Sequence, residues 1–263
     1  MIEAIILLAI LGGAAGAGLA VASKKFSVAK DPKYTAVLEN LPGTNCGACG
    51  FPGCAGMASA IIDGKATPTS CPVNTGEGAK AIGAIMGIEV HESVRLVARV
   101  LCGGDREASV SSAEYRGITD CNVMAATSGG GKACVYGCMG GGTCVKACAY
   151  GAMRMGDNGL PIVDESMCVS CGLCVKACPR NIMKLLPVDN TVYVACSTRD
   201  KGADVRKICQ KGCISCKMCQ KVCPKAAIDF YDNILAVIDP SLCDNMGGCA
   251  MKCPTKAIRM KKS

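Results

Sequence analysis

The sequence predicts an α+β chain of small domains stapled by their own cysteines, set behind one N-terminal transmembrane helix. Three observations lead there. The 263 residues include 23 cysteines, most of them in repeated four-cysteine runs. Aromatic residues make up 3% of the chain, with no Trp, against 32 glycines. Segments so poor in large side chains cannot bury much surface and need a metal staple to hold a fold, which predicts that the metal-free form is largely unfolded beyond its first segment. From Ala4 to Ala22 there is no charge and no strongly polar group.

That last stretch defines the first element, a transmembrane helix over residues 1–23. At about 1.5 Å of rise per residue it matches a bilayer core of about 30 Å. The small residues Gly12, Gly13, Ala14, Ala15, Gly16, Ala17 and Gly18 let another helix approach closely, which suits packing against partner membrane subunits. A cleaved signal peptide would open with positive charge, whereas this chain opens Met1, Ile2, Glu3. Positive residues follow the apolar run at Lys24, Lys25, Lys30 and Lys33, so the positive-inside rule puts the body of the protein on the cytoplasmic side of the cell membrane, as a single-pass protein.

After a linker over 24–34, residues 35–90 form a domain of their own. Cys46, Cys49, Cys54 and Cys71 follow C-x2-C-x4-C-x16-C, with glycines and prolines that allow the backbone to turn the thiolates inward. The pattern predicts one four-iron cluster, with a four-sulfur zinc site as the competing occupant. Residues 55–62 read as a short helix. From Gly76 to Val100 apolar residues recur at helical spacing (Ile82, Ile85, Met86, then Val94, Val97, Val100), predicting a packing element that leads into a connecting segment, 91–128. The single histidine, His91, reads as a solvated polar residue.

Two runs are complete: Cys168, Cys171, Cys174 and Cys178 before Pro179, and Cys213, Cys216, Cys219 and Cys223 before Pro224. Their spacing, C-x2-C-x2-C-x3-C-P, resembles that of bacterial ferredoxins, in which three cysteines hold one [4Fe-4S] cluster and the fourth holds its neighbour. Disulfides belong to oxidising compartments, and zinc ribbons show separated C-x2-C knuckles, often with histidine, so neither suits these overlapping runs. A looser run, Cys134, Cys138, Cys144 and Cys148, has Ala149 in place of proline. It completes a ferredoxin-like domain over 129–187, with hairpin-like segments at 153–163 and 182–188.

The ferredoxin resemblance implies crossed ligation, with Cys134, Cys138, Cys144 and Cys178 on one centre and Cys168, Cys171, Cys174 and Cys148 on the other. After an insertion at 188–207, a second ferredoxin-like domain spans 208–263. There Cys213, Cys216, Cys219 and Cys253 complete one centre, and the other is left with Cys223, Cys243 and Cys249. Met246 stands where its second ligand is expected, and a thioether is a poor ligand for such iron. Either a [3Fe-4S] cluster forms, or Asp244 or Asn245 supplies the missing ligand, or the site stays empty. Cys102, Cys121, Cys196 and Cys209 belong to no run; they are either one further cluster's ligands or buried free thiols. The expected complement is four [4Fe-4S] clusters, rising to five or six.

A formal net charge of +8 counts every cysteine as neutral. Five four-thiolate centres at about −2 each would bring it to roughly −2, so the basicity gives no ground for nucleic-acid binding. Ser128 to Lys132 looks like the end of a phosphate loop, but Ala133 stands where Ser or Thr is required. No G-x-G-x-x-G unit appears either, and direct NAD binding is not expected.

An uncleaved N-terminal helix, the Cys46, Cys49, Cys54 pattern, and tandem ferredoxin units including Gly212, Cys213, Ile214, Ser215 and Cys216 together resemble, over essentially the whole chain, the B subunits of Rnf complexes. These are the ion-translocating ferredoxin:NAD oxidoreductases of bacterial membranes. The resemblance implies an electron-transfer subunit of a translocase that takes electrons from reduced ferredoxin and relays them among the other membrane subunits. The complex would move Na+ or H+ and reduce NAD elsewhere, leaving this chain with cluster ligands and no catalytic residue. A polyferredoxin subunit of a hydrogenase or dehydrogenase and a zinc-ribbon interaction protein are the competing readings.

Overall fold

The computed structural model describes residues 12–13, 15–22, 31–74, 76–90 and 94–261. Residues 12–13 and 15–22 are helical and almost entirely exposed. No helix among the described residues is long and apolar enough to cross a membrane. Most of the span expected at 1–23, and His91, lie outside the described residues.

The first domain packs three helices around its cysteine loop. Helix α1, Pro32–Glu39, starts with proline in its first turn behind Asp31, whose carboxylate accepts from the Lys33 N–H at 2.8 Å. Helix α2, Gly53–Ile62, carries Cys54, and α3 is Gly76–Met86. Val37, Met57, Ile61 and Ile82 are essentially unexposed and form the core on which Cys46, Cys49 and Cys54 rest. The helical spacing expected through Val100 breaks earlier. Gly87, left-handed at φ 71°, follows α3 directly, and Leu96–Val100 is instead a strand, β1.

Two units of one plan follow. In the first, β1 pairs antiparallel with β4, Met183–Pro187, while β2, Met153–Met155, and β3, Pro161–Val163, form a local hairpin. In the second, β5, Val192–Val194, pairs with β8, Ile258–Met260, around the hairpin of β6, Ile228–Tyr231, and β7, Leu235–Ile238. Each unit is thus closed by a strand that the sequence places outside it: β1 lies in the connecting segment 91–128 and β5 in the insertion 188–207. The 182–188 segment is correspondingly no local hairpin, because its partner lies about 90 residues upstream, where alternation over five residues is too short a signal to pair from spacing alone.

After its first strand, each unit inserts one helix, α4 at Cys121–Thr127 and α7 at Gly202–Ile208, before the cysteine runs. Those runs carry one-turn helices: α5, Thr143–Lys146; α6, Leu173–Lys176; α8, Met218–Lys221; and α9, Gly248–Lys252. The units are knitted together at several points. Glu165 of the first accepts from Arg99 of the same unit and from Lys261 of the other, and Arg259 donates to the Gly103 carbonyl at 3.3 Å.

Candidate metal centres

The four runs share a backbone device. Before each one-turn helix, two residues two apart are left-handed: Gly140 and Gly142, Ser170 and Gly172, Ser215 and Lys217, Asn245 and Gly247, with φ between 57° and 79°. Glycine adopts this region freely, whereas serine, lysine and asparagine do so at some cost. The cost recurs because the turn aims successive cysteines at one point. The residue between each left-handed pair is the second ligand position, filled by Cys171 and Cys216 in the complete runs and by Gly141 and Met246 in the gapped ones.

Around these turns the sulfurs gather into groups. Cys148, Cys168, Cys171 and Cys174 line one cavity, and Cys213, Cys216, Cys219 and Cys253 another, the same two sets that crossed ligation implies. The third expected set is corrected. Cys138, Cys144 and Cys178 share their cavity with Cys121, and Cys134 turns away to line a fourth cavity with Cys102, Cys196 and Cys209. The physical reason lies in α4. Asp120 caps it, accepting from the Asn122 and Val123 N–H groups and from the Thr143 hydroxyl, and that hydroxyl in turn accepts from the Cys121 N–H at 2.6 Å. These contacts pin Cys121 against the start of α5. A Cβ on Gly141 would lie 3.0 Å from Cys121 Sγ, so this glycine makes room for the incoming sulfur.

Cys46, Cys49, Cys54 and Cys71 meet in the first domain, where the buried Cys71 lies close enough to Cys49 and Cys46 to feel their charge. Cys223, Cys243 and Cys249 meet beneath the second unit. All 23 cysteines therefore fall into six groups, five of four and one of three. At the group of three, Met246 is 60% exposed. The Asn245 side chain is committed elsewhere, accepting from the Thr191 and Val192 N–H groups and donating to the Asp189 carbonyl at 2.9 Å, so it is not free to act as a ligand. Asp244 is exposed.

The sulfurs converge on shared cavities rather than on single points. Among the described residues no three Cys, His, Asp or Glu side chains come close enough to hold a single metal ion. Instead, four of the sulfur groups each line a cavity of their own. Electrostatics agree. Burial pushes the Cys144 thiol up to about 12, and charge on Cys138, Cys121, Cys178 and Cys174 pushes the same way. Burial, with charge on Cys171, Cys168 and Cys148, puts Cys174 at about 11. Sulfurs crowded this way become thiolates together only if a cationic body neutralises their repulsion.

Neighbouring groups are linked. Cys46 works against its own burial: the Ala48 backbone, Tyr150 and Thr44 hold its thiol below the ordinary value. Tyr150 belongs to the next unit and donates to Thr44 at 3.0 Å, and Lys176 reaches the Ala48 carbonyl at 3.2 Å. Cys171 in turn feels Cys46, which puts the first domain's group beside that of Cys168.

Comparisons with known proteins match three stretches of the chain. Residues 41–73 match an Fe-S cluster family, residues 161–184 a 4Fe-4S binding domain, and residues 212–257 a 4Fe-4S dicluster domain. The chain therefore carries several [4Fe-4S] clusters. Cys102, Cys121, Cys134, Cys138, Cys144, Cys148, Cys196 and Cys209 lie outside all three matches. Over 99% of this chain and 98% of its own length, the B subunit of the ion-translocating oxidoreductase complex of Methanosarcina acetivorans is 43% identical. The B subunit of the Na(+)-translocating ferredoxin:NAD(+) oxidoreductase complex of Acetobacterium woodii is 43% identical over 96% of this chain and 75% of its own. Its counterpart in the proton-translocating ferredoxin:NAD(+) oxidoreductase complex of Clostridium ljungdahlii is 43% identical over 98% and 92%. Cysteine loops, twin ferredoxin units and end-to-end similarity together make this chain a member of the B-subunit family of Rnf-type ion-translocating oxidoreductase complexes.

Proposed function

We propose that this chain is the electron-transfer subunit of an Rnf-type complex, receiving electrons from reduced ferredoxin and relaying them to the complex's other subunits as Na+ or H+ crosses the membrane. The observation that carries the reading is the end-to-end 43% identity joined to six converging cysteine groups. Bound [4Fe-4S] clusters supply one-electron chemistry, with potentials tuned by burial and by hydrogen bonds to sulfur. The protein's part is to hold them. Cys46, Cys49, Cys54 and Cys71 hold the first; Cys148, Cys168, Cys171 and Cys174 the next; Cys121, Cys138, Cys144 and Cys178 a third; and Cys213, Cys216, Cys219 and Cys253 a fourth. Cys223, Cys243 and Cys249 suit a three-iron cluster: the Asn245 amide is committed to residues 189–192 and the Met246 thioether is a poor ligand, which leaves the exposed Asp244 as the one alternative that would complete a four-iron one.

Fully thiolate-ligated clusters leave no open position for a substrate, consistent with a carrier role inside a translocase. The uncharged run from Ala4 to Ala22 anchors the chain as a single span, and Lys24, Lys25, Lys30 and Lys33 keep the cluster domains on the cytoplasmic side. The test is anaerobic purification in detergent followed by titration with reduced ferredoxin. Copurification with integral-membrane subunits and stoichiometric bleaching of the cluster absorbance are expected. A self-standing soluble carrier that ferredoxin leaves oxidised would overturn the reading and favour a polyferredoxin.

A further inference from the structure

Cys102, Cys134, Cys196 and Cys209 belong to none of the matched families, and neither complete run includes them, yet they line one cavity. The two ferredoxin units contribute to it equally. Cys102 lies two residues beyond β1 and Cys196 two residues beyond β5, the equivalent strands. Cys134 precedes Cys138 by four residues, and Cys209 precedes Cys213 by four. The hydrogen bonding repeats as well: the Cys138 N–H donates to Cys102 Sγ at 3.3 Å, and the Cys213 N–H donates to Cys196 Sγ at 3.3 Å.

From this duplicated geometry we infer that Cys102, Cys134, Cys196 and Cys209 hold a further [4Fe-4S] cluster at the junction of the two ferredoxin units, between the Cys138 and Cys213 centres. The inference rests on the iron-sulfur reading above. Free thiols are the plain alternative, and the arrangement speaks against them: buried thiols without a shared role need not converge, whereas here four sulfurs drawn from both units line one cavity, as they do in the two run-built sites.

The backbone is also shaped for close approach. A Cβ on Gly104 would lie 3.0 Å from Cys209 Sγ and 4.0 Å from Cys102 Sγ, and one on Gly137 would lie 3.5 Å from Cys134 Sγ and 3.6 Å from Cys102 Sγ. Gly104 thus stands where a side chain would crowd Cys209, while a Cβ on Gly137 would lie at ordinary contact distance from two of the sulfurs. Two cations stand beside the site: Lys132 donates to the Gly104 carbonyl at 2.6 Å and Arg180 to the Cys134 carbonyl at 3.1 Å. Such neighbours offset the net negative charge of about −2 on a four-thiolate centre. The junction would then join the two units' clusters through sulfurs that each accept an N–H from a neighbouring centre's ligand.

Two measurements on the full chain test this. Anomalous diffraction at the iron edge, on crystals of the unsubstituted holoprotein, should place iron in the Cys102–Cys134–Cys196–Cys209 cavity. Iron at the run-built centres with none in this cavity would overturn the inference and leave the carrier reading intact; no iron anywhere would defeat both. In solution, Cys102→Ser with Cys196→Ser should remove about four irons per chain, with matching sulfide, while the other centres keep their EPR signals. Unchanged iron in that variant would also overturn it.

Discussion

The two ferredoxin units contain one gapped run each, Cys138, Cys144, Cys148 and Cys243, Cys249, Cys253, with left-handed residues on either side of the vacant second position, yet they are completed differently. In the first, the residue at that position is Gly141, and α4 docks there and delivers Cys121. In the second, it is Met246, which is exposed, and Asn245 spends its amide on tying down residues 189–192. Local spacing therefore sets how a run turns. What docks against it sets how many sulfurs the site receives.

Removing the metal should break both units alike and have the largest effect. With aromatics at 3% and strands of three to five residues, little holds the ferredoxin units together once iron is stripped. Far-UV circular dichroism on anaerobic chelation should show loss of ordered structure, and a metal-free form with native hydrogen-exchange protection would contradict this.

Exchanging the ligands at the two gapped runs should exchange their behaviour. Cys121→Ala should turn the first gapped run into a three-thiolate site, costing about one iron per chain and producing a three-iron EPR signal in the oxidised protein. Met246→Cys should do the reverse at the second, adding about one iron and removing such a signal. If Met246→Cys leaves both iron and spectrum unchanged, the equivalence of Met246 with Cys171 and Cys216 is wrong.

Smaller effects follow at the supporting residues. Gly141→Met would force a side chain into the space beside Cys121, destabilising the first unit by about 1–3 kcal/mol in denaturant titration. Asn245→Ala loses three hydrogen bonds and places a Cβ-bearing residue without a polar side chain at φ 62°, for a cost of about 2 kcal/mol; Asn245→Gly should recover part of it.

The smallest effect concerns pH. Burial works against the charge on Asp105, but Lys211 and the Ala108 N–H outweigh it and hold the carboxyl below its usual range. A depressed folded pKa means that the stabilisation is full above the unfolded carboxyl value of about 3.9 and fades as pH falls through the folded value. Asp105→Asn should thus cost on the order of 1 kcal/mol at neutral pH and nothing once the carboxyl is protonated. A gap that persists under acid would show that the ion pair is not its source.

The complete runs made the ferredoxin units, the separate first domain and the gap at Met246 legible in the sequence, because there the ligands are neighbours along the chain. Cys121 was not legible: it lies 17 residues before Cys138 on a helix held by Asp120 and Thr143, and no spacing rule reports such docking. Cys102, Cys196 and Cys209 stand out in the sequence as candidates for one further site together with Cys121, but their grouping with Cys134 instead was hidden differently. Their signal exists only when the units are laid over one another, so that the cysteine after each first strand and the paired C-x3-C steps coincide. The strands β1 and β5 were missed for a related reason, since each pairs with a partner far along the chain.

On this reading all 23 cysteines serve six sites, five with four thiolates and one with three. Anaerobic iron and acid-labile sulfide quantification, with EPR of the oxidised and dithionite-reduced protein, counts those sites. The expected result is about 23 irons per chain, about four at each of five centres and about three at the sixth, with a three-iron signal in the oxidised state. About nineteen irons or fewer, or zinc in place of iron, would contradict it.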